Sequence, residues 1–219
     1  MYRAIMYSSL AAFPMLSHAQ AAADRAGTWE FGVNLMQTSS ESFAGPENTS
    51  LSVNSDIGLG LNAAYNFSNN FAVQFDLNYS SPSYAADYLI EDTGEIETIR
   101  TNMSVNNFHV KGTFNLLDGP LTPYIEAGIG WTYVDSNVAD GPPTTGCWWD
   151  FFWGGYVCRS YWSTYSSTQS SYTAAIGMRW DYTRELTFKA DYGTLEVQGS
   201  GRSEDPSFDT FRISVAWRL

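Results

Sequence analysis

Apolar and polar residues alternate one by one through most of this chain, the period that puts successive side chains on opposite faces of a β-strand. Trp29, Phe31, Val33 and Leu35 alternate with Glu30, Gly32 and Asn34. Ile57 to Phe67 and Phe71 to Tyr79 repeat the pattern on either side of the short turn Ser68-Asn69-Asn70. Phe108, Val110, Gly112, Phe114 and Leu116 give a fourth apolar face. After the turn Asp118-Gly119-Pro120 comes a fifth, of Ile125, Ala127, Ile129, Trp131 and Tyr133. Ala174, Ile176, Met178, Trp180 and Tyr182 make the sixth, and the turn Thr183-Arg184-Glu185 leads to Leu186, Phe188, Ala190 and Tyr192. Phe211, Ile213, Val215, Trp217 and Leu219 form the eighth. Met103 and Val105 run in the opposite phase from Phe108, and a β-bulge near Asn106 and Asn107 is predicted to reconcile them.

The two faces differ in kind. No charge falls on the apolar faces, while the opposite faces carry Glu30, Asp76, Lys111, Glu126, Arg179, Asp181, Lys189, Asp191, Arg212 and Arg218, five of each sign. An unpaired buried charge costs several kcal/mol, so such balance suits a closed, water-poor lumen. Long polar segments join strands one to two, three to four, five to six and seven to eight, and short turns make the other joins. Short periplasmic turns alternating with long outer loops are the topology of bacterial barrels, with N- and C-termini periplasmic. A soluble carrier barrel would instead put its bulky face inward. Aromatic residues make up 16% of the chain and charged residues only 16%. The rings cluster near strand ends, where they anchor at headgroup depth: Trp29, Tyr65, Phe67, Phe71, Tyr182 and Trp217 at one end, Tyr79, Tyr133 and Tyr192 at the other. The expected fold is therefore all-β: a single eight-stranded antiparallel transmembrane β-barrel with short periplasmic turns and long extracellular loops.

Residues 1–23 read as a signal peptide, with Arg3, a broken apolar stretch from Ile5 to Leu16, and small residues that allow cleavage after Ala19 or Ala23. Residues 24–219 are expected to form one barrel domain. A net charge of −12 excludes nucleic acid as a partner, since phosphates would be repelled. In an exported chain, Cys147 and Cys158 are expected to form a disulfide, and two thiols without nearby histidines do not suit zinc. No cofactor or metal is expected.

The stretch Pro123-Tyr124-Ile125-Glu126-Ala127-Gly128-Ile129-Gly130-Trp131, with the alternation from Phe211 to Trp217, resembles the OmpA-like, opacity-type outer-membrane β-barrel family over essentially the whole mature chain. The resemblance implies localisation to the bacterial outer membrane and a C-terminal strand read by the barrel-assembly machinery. This strand ends in Leu219 rather than the family's terminal aromatic. The peptidoglycan-binding domain of some relatives is not expected.

Four groups of residues invite a functional reading. Cys147 to Cys158 enclose Trp148, Trp149, Phe151, Phe152, Trp153 and Tyr156 in the third long loop, which a disulfide would order by about 3 kcal/mol. Such rings either bind a carbohydrate, a host protein or lipopolysaccharide, or pack on each other and cap the barrel mouth. Asp87, Glu91, Asp92, Glu95 and Glu97 crowd the second long loop at a spacing that matches no EF-hand, and are expected to be solvated. His109 faces inward beside Lys111 with no serine nearby in sequence, so a hydrogen-bonding role is expected rather than catalysis. The inward Glu30, Asp76, Lys111, Glu126, Arg179, Lys189, Asp191 and Arg212 are expected to form a structural ion network, because eight strands leave an interior that side chains fill.

The expected function is that of a structural, surface-exposed, monomeric barrel, adhesive or ligand-binding through the aromatic loop, and not an enzyme. The alternatives are a narrow channel or carrier for small hydrophobic molecules, and a lipid A-modifying barrel enzyme. Expected partners are outer-membrane lipid and lipopolysaccharide, the assembly machinery, and a host-surface or carbohydrate ligand.

Overall fold

A computed structural model describes residues 24–44, 49–89, 96–152, 154–199 and 205–219. The expected signal peptide over residues 1–23 lies outside the described residues. Among them run β1 (Trp29–Thr38), β2 (Glu41–Ala44), β3 (Ser50–Val53), β4 (Asp56–Asn66), β5 (Phe71–Ser80), β6 (Ser83–Leu89) and β7 (Ile96–Asn102). They are followed by β8 (Ser104–Asn115), β9 (Leu121–Ala139), β10 (Thr144–Asp150), β11 (Gly155–Tyr161), β12 (Thr164–Asp181), β13 (Leu186–Val197) and β14 (Ser207–Arg218). Eight of these close an antiparallel barrel in the order β1-β14-β13-β12-β9-β8-β5-β4. Its seam runs from Glu30 opposite Arg218 to Thr38 opposite Thr210. There Trp29 N donates to the Leu219 carbonyl at 3.2 Å, and Leu219 N returns a bond to the Trp29 carbonyl at 2.8 Å.

The alternation predicted from sequence sets the faces of this barrel. Along β1 exposed and buried residues take turns without a break, with Trp29, Phe31, Val33 and Leu35 outward and Glu30 and Asn34 inward. The apolar side is thus the outside, the reverse of a soluble protein, which fits a hydrocarbon surround. At the end carrying the short turns, Trp29 lies 5.1 Å from Tyr65 and Tyr65 lies 4.8 Å from Phe67, ring centre to ring centre. Trp180, Tyr182 and Phe188 form a second such group.

Among the described residues the long connections carry strands of their own. β2, β3, β6 and β7 form a four-stranded sheet, and β10 and β11 a separate hairpin. β9 and β12 run for 19 and 18 residues. A tilted strand needs only about 9–11 residues to cross a bilayer, so both continue well past the barrel wall.

One expectation fails. β8 pairs without interruption with β5 from Val105 to Phe114 and with β9 from Ser104 to Asn115, so no bulge occurs at Asn106 and Asn107. Val105 and Met103 are out of phase because they face inward, joining an apolar cluster with Val53, Tyr84 and Val134 at the long-loop end. The register irregularity in this half of the barrel lies between Thr164 and Ser166, opposite the extension of β9.

Candidate functional site

From the short-turn end upward, the interior consists of two ion clusters, an apolar mouth and a projecting hairpin. The first cluster centres on Glu30 and Asp181. Arg179 reaches both, Arg218 bonds Asp181 at 2.7 Å and Glu30 at 3.3 Å, and Lys189 Nζ lies 3.3 Å from Glu30 Oε2. The second joins Arg212 to Asp76 at 2.8 Å, to Asp191 at 3.0 Å and to Glu126, while Lys111 contacts Asp76 and lies 3.0 Å from Glu126. Tyr124 Oη donates to Asp191 at 2.6 Å. Gln74 links the two, donating to Asp76 at 2.7 Å and accepting from Lys189 at 3.2 Å. All eight inward residues singled out from the sequence enter these clusters.

Sequence reasoning missed Arg25. It precedes β1 and belongs to no alternating run, yet it is 0% exposed. Its guanidinium bonds Asp181 at 2.7 Å and the carbonyls of Asn69, Leu117 and Gly119 at 3.0, 3.3 and 2.6 Å, so it stoppers the short-turn end. Among the described residues it tips the interior from equal charges to one extra cation. Among the described residues the negative excess therefore lies outside these two clusters. Among the described residues this packing leaves a void beside Glu126, Asp191 and Arg212 of about 10 Å³, room for about one water.

His109 meets a partner from far away in sequence, its Nε2 standing 2.9 Å from Ser171 Oγ, with both side chains buried. The ring fits because Gly130 stands opposite it on β9. A Cβ at Gly130 would overlap the Phe108 carbonyl oxygen and lie 2.8 Å from His109 Cδ2.

At the long-loop end, Val53, Tyr84 and Met103 are buried together, with Phe43, Leu51, Val105, Val134 and Phe208 against them. The Tyr84 hydroxyl donates to the Ser136 carbonyl at 2.9 Å, and burial raises its pKa above the usual tyrosine value. Of the acidic loop, Glu91, Asp92 and Glu95 lie outside the described residues. Asp87 accepts hydrogen bonds from Ser50 and Thr98, each at 2.6 Å, which hold its carboxyl below the ordinary aspartate range. Among the described residues no group of acidic, histidine or cysteine side chains is arranged to hold a metal ion.

The β10–β11 hairpin carries the disulfide Cys147–Cys158 between directly paired residues. Its turn is tightened by Phe152 N donating to Asp150 Oδ1 at 2.8 Å and by Gly154 at φ 59°, a left-handed conformation that suits glycine. Trp149 and Tyr156 pack edge to face at 5.4 Å. Phe151, Phe152 and Tyr156 are 91%, 97% and 75% exposed, and Trp148 about half so. Trp153 lies outside the described residues. Of the alternative in which the rings pack on each other and cap the mouth, the packing is present between Trp149 and Tyr156, but none of the described rings lines the mouth. The mouth is walled by β2, β3 and the barrel strands instead.

The sequence matches the family described as outer membrane protein beta-barrel domain over residues 8–218. Comparison with curated protein sequences finds no match. Among solved structures, the outer membrane protein OprG from Pseudomonas aeruginosa is similar at 11% identity and a TM-score of 0.61, covering 91% of this chain and 99% of its own. The attachment invasion locus protein Ail of Yersinia pestis, in complex with the heparin analogue sucrose octasulfate, gives 11% and 0.51 over 89% and 99%. Neisserial surface protein A gives 12% and 0.51 over 88% and 98%. At these identities the likeness is one of fold.

Proposed function

We propose, because the chain belongs to the outer membrane protein β-barrel family and therefore resides in the bacterial outer membrane, that it is a structural, monomeric surface barrel that makes contacts through its aromatic hairpin. The observation that carries this reading is the near-complete exposure of Phe151 and Phe152 at the tip of a disulfide-braced hairpin. Exposed rings of this size are costly unless used, and a braced hairpin presents them with little ordering entropy left to lose on binding. In this reading residues 1–23 are removed on export, residues 24–219 form the barrel, the C-terminal strand engages the assembly machinery, and both termini face the periplasm.

The ligand class follows from charge. Ail is described with a sulfated sugar analogue. The surface here is acidic, and among the described residues Arg100 and Arg159 are the only cations on the strands of the long-loop end. A neutral carbohydrate or a host protein surface, stacked on the rings, suits it better than a sulfated one. Binding of the protein in lipid nanodiscs to a glycan and host-cell surface panel tests this. A signal lost in the Phe151→Ser/Phe152→Ser variant is expected, and retention of the full signal overturns the reading.

The channel alternative has less support, since two ion clusters fill the lumen; silence in planar-bilayer conductance and liposome swelling would end it. For lipid A modification, the burial of both His109 and Ser171 argues against access. An unchanged lipid A mass spectrum in cells with and without the protein, with His109→Ala as control, would close that question.

A further inference from the structure

The geometry points to a blind binding site for a small, neutral, apolar molecule in the outer mouth of the barrel. A cavity of about 420 Å³ lies there, above the ion clusters. Small-molecule sites span about 300–1,000 Å³ and are mostly apolar with a few fixed polar groups. The wall is built by Phe43 from β2, Leu51 and Val53 from β3, Met103 ahead of β8, Val134 from β9 and Phe208 from β14. Residues this distant in sequence turn their apolar side chains to one space. That space lies inside a barrel whose interior nearer the short turns is dominated by charged and polar side chains.

Charge and hydrogen bonding select the occupant. The floor is Asn107 and Thr132, where Thr132 Oγ1 donates to Asn107 Oδ1 at 2.7 Å and so occupies that carbonyl. Among the described residues Asp56 is the only ionisable group on the wall, and its carboxylate accepts from Ser81 N at 2.7 Å. The site therefore offers no cation to an acid, and it repels one. A hydrocarbon-like molecule gains from the wall by removing apolar surface from water. Beneath the floor, His109 with Ser171 and then the Arg212 cluster close the way, so the site holds its ligand rather than passing it along the axis.

The test uses the full mature chain in lipid nanodiscs, with naphthalene as the neutral probe, 1-naphthoate as its anionic counterpart, and empty nanodiscs to subtract partition into lipid. Val134→Trp and Leu51→Trp fill the cavity from different strands, and heat-modifiable migration on a gel reports that each is folded. Saturable binding of about one naphthalene per chain is expected, weakened about tenfold or more in the folded variants, with naphthoate not bound. Phe151→Ser/Phe152→Ser is expected to leave naphthalene binding unchanged, which separates this site from the hairpin. Uptake equal to that of empty nanodiscs, full binding in folded Val134→Trp and Leu51→Trp, or naphthoate binding as well as naphthalene would overturn the assignment.

Discussion

Arg25 Nε stands 2.7 Å from Asp181 Oδ2, joining a residue ahead of the first strand to the last residue of β12. Arg25→Ala leaves three turn carbonyls without that donor, while Asp181 keeps Arg179 and Arg218. The expected loss is about 1–3 kcal/mol, read as a lower urea midpoint for folding into lipid vesicles. Arg25→Lys should recover only part of it, because an ammonium cannot reproduce the planar fork.

Arg212 faces three carboxylates, and its loss would leave Asp76, Glu126 and Asp191 with Lys111 as the remaining cation of that cluster. Arg212→Ala should therefore cost more than Arg25→Ala, about 3–5 kcal/mol by the same urea titration. Pairing Arg212→Met with Asp191→Leu removes charge of both signs and should cost less than the single change. Equal urea midpoints for the single and paired variants would show that charge pairing is not what holds this layer.

Reducing the Cys147–Cys158 bridge, or replacing both cysteines by serine, removes about 3 kcal/mol of ordering from the hairpin by the chain-entropy account. The hairpin forms a sheet of its own, so the effect should stay local. Amide hydrogen exchange should speed up over 144–161 and stay unchanged in β1, β4 and β5. A drop in the stability of the whole barrel would contradict this.

Asp87 ties β3 to β7 through the hydroxyls of Ser50 and Thr98. Its folded pKa is below the unfolded one, so the link contributes fully above the ordinary aspartate value, about 3.9, and is lost as pH falls through the folded value. Protease resistance of the outer sheet should be the same at pH 7 and pH 5 and fall only in stronger acid. In Asp87→Asn that acid-dependent fall should disappear.

Much of this was legible in the sequence, for a physical reason. Alternation reports which side of a strand a residue occupies, so Glu30, Asp76 and Arg212 could be placed inside before any pairing was known. It does not report height along the barrel. Val105 and Met103 therefore looked like a break in register when they are inward residues at a level where the interior turns apolar. Arg25 was illegible because its burial depends on turns around 69 and 117–119 that only barrel closure brings together. The meeting of His109 with Ser171, 62 residues apart, has the same origin.

The reciprocal bonds between Trp29 and Leu219 leave the barrel without a loose edge. A ladder that closes through its own ends gives unzipping no starting point, because the seam is paired like any other neighbouring strands and is crossed by Glu30 with Arg218. Pulled or heated, such a ring should not peel strand by strand. It should persist until one rupture releases the whole circle, so that the lifetime of the folded form is set by a single high barrier.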